Sequence, residues 1–203
     1  MKYKLTSNTK NWWGITLYQI QATCSFNNVS KGDLGGYIEK ESNLDQSDNA
    51  WVHDNAQVSG DARVSGDAWV FGNAWVHGNA QVFGNAQVYG NARVSGNAQV
   101  YGNAWVHGNA RVYGNAWVYG NARVYDNAQV SGNAWVSGEL KLSLGFFFGV
   151  RYKKEEIKYH KLDDNYEIIY KGDAKIEEEQ SLVGSEVEVK LNGKSYKAKI
   201  ISG

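Results

Sequence analysis

AWVHDNAQVSGDARVSGDAWVFGNAWVHGNAQVFG, residues 50–84, repeats a six-residue phrase, Val-x-Gly-Asn-Ala-x, that runs in fifteen copies from Trp51 to Gly138. Its valines fall in steps of six from Val52 to Val136, and an alanine precedes each by two places, from Ala50 to Ala134. A helix cannot use this spacing. Six residues at about 100° each turn the next valine by roughly 240°, so no apolar stripe forms. In extended chain, positions two apart share a side, and each Ala-Val pair points inward around one outward residue. Every copy is therefore one very short strand. The Gly-Asn that follows supplies a bend, because both residues tolerate positive φ at little cost, and Asp54 and Asp126 stand twice in glycine's place.

Short flats separated by equal bends close into a prism whose coils stack at about 4.8 Å, each backbone group pairing with the coil above or below. The periodicity predicts an all-β parallel solenoid with a column of Val and Ala inside. The phrase V-x-G-N-A-x is similar to the hexapeptide repeat of left-handed parallel β-helices, in which three copies make a triangular coil. That resemblance, and not the spacing, implies the left hand and about five coils; parallel crossovers are otherwise right-handed in about 98% of cases.

Three regions are expected. Residues 1–48 form an N-terminal cap, with ITLYQIQATCSF as strand and a Gly-rich KGDLGGYIEKESNL, because a bare solenoid end exposes strand edges. Residues 49–138 form the β-helix. Residues 139–203 form a small β-rich capping or interaction domain: KLSLGFFFGVRYK comes first, then EEIKYHKL and YEIIYK flank Asp163-Asp164-Asn165. Finally EVEVKL and KSYKAKII flank Asn192-Gly193, a strong hairpin signal. The block KKEEIKYHK reads as a solvated strand or short helix.

Composition excludes several classes. Of 203 residues, 21 are Lys or Arg and 21 Asp or Glu, so long-range attraction to nucleic acid or an anionic membrane is not favoured. The single Cys24 rules out an internal disulfide framework, and the N-terminus lacks the apolar core of a signal peptide, which makes the cytoplasm the expected location. No apolar run approaches membrane-spanning length. All four threonines, Thr6, Thr9, Thr16 and Thr23, precede the repeats, which excludes a threonine-lined ice-binding face.

The string VSKGDLGGYIEKESNLDQSDNAWVHDNAQVSGDARVSG, residues 29–66, resembles the opening of phage- and prophage-borne hexapeptide-repeat proteins, often labelled acyltransferases or polymer-forming proteins. The match covers residues 15–138. It implies a phage or bacterial β-helix protein and carries a fold more than a chemistry.

The outer positions hold the candidate binding residues. Before the valines stand Trp51, Trp69, Trp75, Trp105, Trp117 and Trp135, with Arg93, Arg111 and Arg123; after them stand Phe71, Tyr89 and Tyr125 among other rings. At eighteen residues per coil, Trp51, Trp69, Gln87, Trp105 and Arg123 form one vertical row, flanked by His53, Phe71, Tyr89, His107 and Tyr125. Such apolar surface points to a partner site or a subunit interface. Rings stacked on neighbouring strands also stabilise a sheet, by roughly 0.2–1 kcal/mol per pair. The turn asparagines are expected to form hydrogen-bonded ladders.

Catalysis finds no support in the sequence. A hexapeptide acyltransferase uses a histidine base and a loop that interrupts the coils, and this chain has no such loop. His53, His77 and His107 occupy a position that Tyr, Ser and Phe fill elsewhere. His53 and His107 lie three coils apart, about 14 Å at the stacking distance, too far to share a metal. Nucleophile and phosphate-loop motifs are absent from any fitting context. The reading is a non-enzymatic solenoid, without cofactor or metal, that binds a protein partner through its aromatic-rich outside and inhibits a host defence or regulatory complex. The alternatives are a self-assembling scaffold, as dimer or trimer, and an acyltransferase-like enzyme.

Overall fold

Two-residue strands recur every six residues from Trp51–Val52 to Trp135–Val136, and each pairs in parallel with the strand one coil away. This computed structural model describes residues 1–12 and 14–149, and the strands 157–161, 167–171, 186–191 and 194–199. The chain separates into two units, Met1–Arg151 and Tyr152–Gly203.

In the first unit the strands form three columns. The first face runs from Trp51–Val52 to Lys141–Leu142 as a six-stranded sheet, and the third from Arg63–Val64 to Trp135–Val136 as a five-stranded one. The second face begins with an antiparallel hairpin, β1 (Tyr3–Trp12) and β2 (Ile15–Ala22), followed by β3 (Leu34–Ile38). It continues in parallel from Gln57–Val58 to Phe146–Gly149. The whole is an all-β parallel solenoid of about six turns.

The register follows from the side chains that must be buried. Every alanine from Ala50 to Ala128 and every valine from Val52 to Val130 is fully buried, and sequestering a valine is worth roughly 1.5–3 kcal/mol. Backbone pairing completes each coil: Trp69 N–H donates to the Ala86 carbonyl at 3.0 Å, Phe71 to Val88 at 3.0 Å and Asn73 to Gly90 at 2.8 Å. Bends use left-handed backbone. Gly90 has φ 71°, and a Cβ there would stand 3.1 Å from the Gly108 nitrogen of the next coil. Asp54 and Asp126 hold the same conformation, at φ 53° and 52°. At the corners the asparagines form ladders, as in Asn73 to Asn91 to Asn109, donor to acceptor at 3.3 and 3.2 Å.

The ladder runs past residues 49–138 at both ends. Ile38 takes the valine place beneath Val58, Leu44 bridges Val64, Leu142 sits on Val124 and Phe147 on Val130. Larger apolar residues do valine's work there, at spacings that break the period. Close approach of β3 depends on Gly35 and Gly36. A Cβ at Gly36 would lie 2.6 Å from the Ala56 carbonyl oxygen, and one at Gly35 2.6 Å from that of Val52.

The first coil also carries its own hydrogen-bond partners. Glu39, Asp48 and Asp54 accept from the N–H groups of Gly60, Gly66 and Gly72, one at each corner. Buried Asn43, in a short 3-10 turn (Glu41–Asn43), donates to the carbonyls of Gly60 and Ala62. Lys2, 5% exposed, donates to the carbonyls of Asp48 and Ala50 at 2.6 and 2.8 Å. Burial lowers its pKa from 10.5 to about 8, against the opposing pull of Asp45 and Asp48.

In the second unit, Ile157–Lys161 pairs antiparallel with Glu167–Lys171, and Glu186–Leu191 with Lys194–Lys199. The turn residues Asp163, Asp164, Asn165, Asn192 and Gly193 lie outside the described residues.

Candidate binding faces

The register sorts the candidate residues onto three faces rather than one. On the first, Trp69, Gln87, Trp105, Arg123 and Lys141 form a continuous row. On the second, Gln57, Trp75, Arg93, Arg111 and Gln129 do so. The third carries Gln99, Trp117 and Trp135 in register.

Rings stack where the register aligns them. Along the corner after the first face, Phe71 lies on Tyr89 at 4.6 Å and 5°, Tyr89 on His107 at 4.7 Å and 6°, and His107 on Tyr125 at 5.2 Å and 12°. Beside the third face, Phe83, Tyr101 and Tyr119 stack with centroids 4.8 and 5.0 Å apart, and Trp117 stacks on Trp135 at 5.2 Å. Arg123 lies over the Trp105 ring at 4.4 Å and Arg93 over Trp75 at 5.8 Å. Rings stacked in this way occupy each other's π-faces and turn their edges to solvent.

Trp51 is a correction to the expected outer row. It is fully buried, because the N-terminal segment returns over the first coil and sets the edges of Tyr3 and Phe26 against it at 6.2 and 5.4 Å. Its Nε1 and the neighbouring His53 Nε2 are buried without a hydrogen-bond partner among the described residues. Nothing in the repeat distinguishes Trp51 from Trp69. Only the fold of residues outside the repeat decides which one is covered.

Two further groups of apolar and aromatic side chains lie outside the predicted site residues. Trp12, at the tip of the β1–β2 hairpin, sets its edge on Trp75 at 5.7 Å, while Lys10 lies 3.8 Å from the Tyr37 ring centre. At the last coil Leu140, Leu144, Phe146 and Phe148 are exposed. The alternation in LGFFFGV, with Phe147 inward and its neighbours outward, was the available signal.

The electrostatics of the rings follow their packing. Burial pushes the pKa of His53, His77 and His107 down; Arg93 adds to this at His77, and Arg123 adds to it at His107 while Asp126 opposes it. Burial pushes Tyr89 and Tyr101 up. Among the described residues no group of three His, Cys, Asp or Glu could hold a metal ion. An open, shallow depression beside Trp69 and Gln87 is lined mostly by amides. Among the described residues no helix is long and apolar enough to cross a membrane.

Parallel columns, a buried Ala-Val core and corner ladders define a β-solenoid repeat protein. In agreement, the family model described as YdcK beta solenoid repeat matches residues 56–70, 62–78, 86–102, 98–114 and 104–120, so these repeats are similar to that family's. No curated protein matches the chain.

Proposed function

We propose that the protein is a non-catalytic scaffold that holds a protein partner against the ring-lined first face, as a phage or bacterial factor that occupies a defence or regulatory complex in the bacterial cytoplasm. Left-handed winding of hexapeptide lineage is part of this reading. The observation that carries it is the stack Phe71, Tyr89, His107 and Tyr125, beside a row in which Arg123 covers Trp105. Rings locked against one another have already lost their rotamer freedom, so docking orders little that is not ordered beforehand. Tyrosine and tryptophan edges with an arginine are the groups that dominate protein interfaces. Carbohydrate is disfavoured, since the π-faces that would stack on a sugar are taken.

Affinity capture from a bacterial lysate tests the reading, comparing the wild type with a W69Q/W105Q/R123Q variant. Gln87 fills the same row between these positions, so the variant keeps a residue type the coil accepts. Loss of the captured protein in a variant that melts like the wild type is the expected outcome. Equal recovery from both discards the first face.

Self-association is the second reading, favoured by the exposed Leu140, Leu144, Phe146 and Phe148. Light scattering over a concentration series separates it: an oligomer dispersed by F146S/F148S supports assembly through the last coil.

A further inference from the structure

Arg93 and Arg111 are register partners on adjacent coils of the second face, both exposed, with backbones about 4.8 Å apart. Like charges placed directly opposite on neighbouring strands destabilise a sheet, and elsewhere in this row the chain uses uncharged residues, Tyr37, Gln57, Trp75, Gln129 and Phe146. Among the described residues neither arginine forms an ion pair with a carboxylate. Residues 68–125 contain neither Asp nor Glu, and the one ion pair among the described residues is Lys40 with Asp61. The acids of the first coil are engaged, Glu39, Asp48 and Asp54 by glycine N–H groups and Asp67 by Asn49.

The surroundings hold Arg93. Trp75, one coil below Arg93, carries its guanidinium at 5.8 Å and is itself buttressed by the edge of Trp12. Gln129 stands one coil above Arg111, and beyond it Phe146, one coil further in the same row. The result, among the described residues, is two exposed arginines without an ion-pair partner on adjacent coils, with Trp75 one coil below Arg93 and Phe146 two coils above Arg111.

Charge and geometry decide what fits. A carboxylate has two oxygens and is satisfied by a single arginine fork. A phosphate monoester carries close to two charges and three acceptor oxygens, enough for two forks at once. A nucleic acid strand would need a longer cationic track, and the chain as a whole is neutral. We propose that Arg93 and Arg111 form a binding site for a phosphate monoester dianion, carried by a small molecule or by a phosphorylated side chain of a partner. This adds a ligand chemistry to the reading above without depending on it. The capture variant alters Trp69, Trp105 and Arg123 on the first face, so either proposal can fail alone.

The test is calorimetric titration of the full chain with phenyl phosphate and with a phosphotyrosine peptide, using benzoate, the unphosphorylated peptide and a single-stranded oligonucleotide as controls at matched ionic strength. R93Q, R111Q and the double variant are compared with R123Q. Gln57 and Gln129 occupy the same row, so these glutamines are native to it. The expected result is binding of both phosphate probes by the wild type and R123Q, a loss of tenfold or more in each single variant, and no binding by the double variant. Tighter binding of the peptide than of phenyl phosphate assigns the phosphate to a partner side chain, and equal binding to a free ester. Absence of binding by both phosphate probes, equal binding by the double variant, or benzoate or oligonucleotide binding as tight as phenyl phosphate overturns the proposal.

Discussion

The first coil and the coils above it solve the same problem by opposite means. In the interior each coil is satisfied by a copy of itself: Gly90 fits because Gly108 lies over it, and Asn91 has Asn73 and Asn109 on either side. The first coil has no copy beneath it. It is closed instead by residues that occur once, Gly36, Asn43, Lys2 and the acids Glu39, Asp48 and Asp54. Repetition thus stabilises the middle of a solenoid, and individual side chains stabilise its end.

The largest effect is expected at the glycine under the first coil. Gly36→Ala drives a Cβ onto the Ala56 carbonyl oxygen and the Val52 side chain, groups fixed by the core, and should cost about 2–3 kcal/mol. Gly90→Ala in the interior meets a wider contact at positive φ and should cost about 1–2 kcal/mol. Urea midpoints for the pair measure the difference; equal losses would erase the contrast between end and middle.

Lys2 sharpens the comparison through pH. Its pKa is lowered from 10.5 to about 8 by burial, so between those values the unfolded chain binds more protons than the folded one. Stability from this group therefore rises as pH climbs from about 8 toward 10. Thermal melts at pH 7.5 and 9.5 should show the gain in the wild type and a smaller gain in Lys2→Met. An identical slope in both would remove Lys2 as the cause.

The smallest effect belongs to the interior. Burial holds His107 below its usual pKa, so the unfolded state takes up protons first as pH falls below 6.5, and stability drops. His107→Tyr, matching Tyr89 and Tyr125 on either side, should lessen the fall in melting temperature between pH 7.5 and 5. A variant as acid-sensitive as the wild type would point to the other histidines.

How much could be read in advance follows the same division. The Ala and Val spacing from Ala50 to Val136 gave the parallel columns, the buried core and the eighteen-residue rows, because periodicity is a local signal with one geometric solution. Outside the repeat the signal fails. Ile38, Leu44 and Phe147 extend the ladder at irregular spacings, and the covering of Trp51 depends on Tyr3 and Phe26, brought to it by a chain reversal that no period announces. The outer rows were legible as rows, yet their division into a ring stack, an arginine pair and a buried tryptophan needed the three faces to be laid out.

The uniform interior has a consequence for inheritance. Because all three columns offer the same Ala and Val floor, loss or gain of one six-residue unit by slippage would rotate everything beyond it by a third of a turn and leave the floor intact. The exterior would not survive the same event, since Phe71 would no longer meet Tyr89 nor Trp105 meet Arg123. A gene of this kind can therefore reshuffle its outward pattern in single steps while keeping a foldable product.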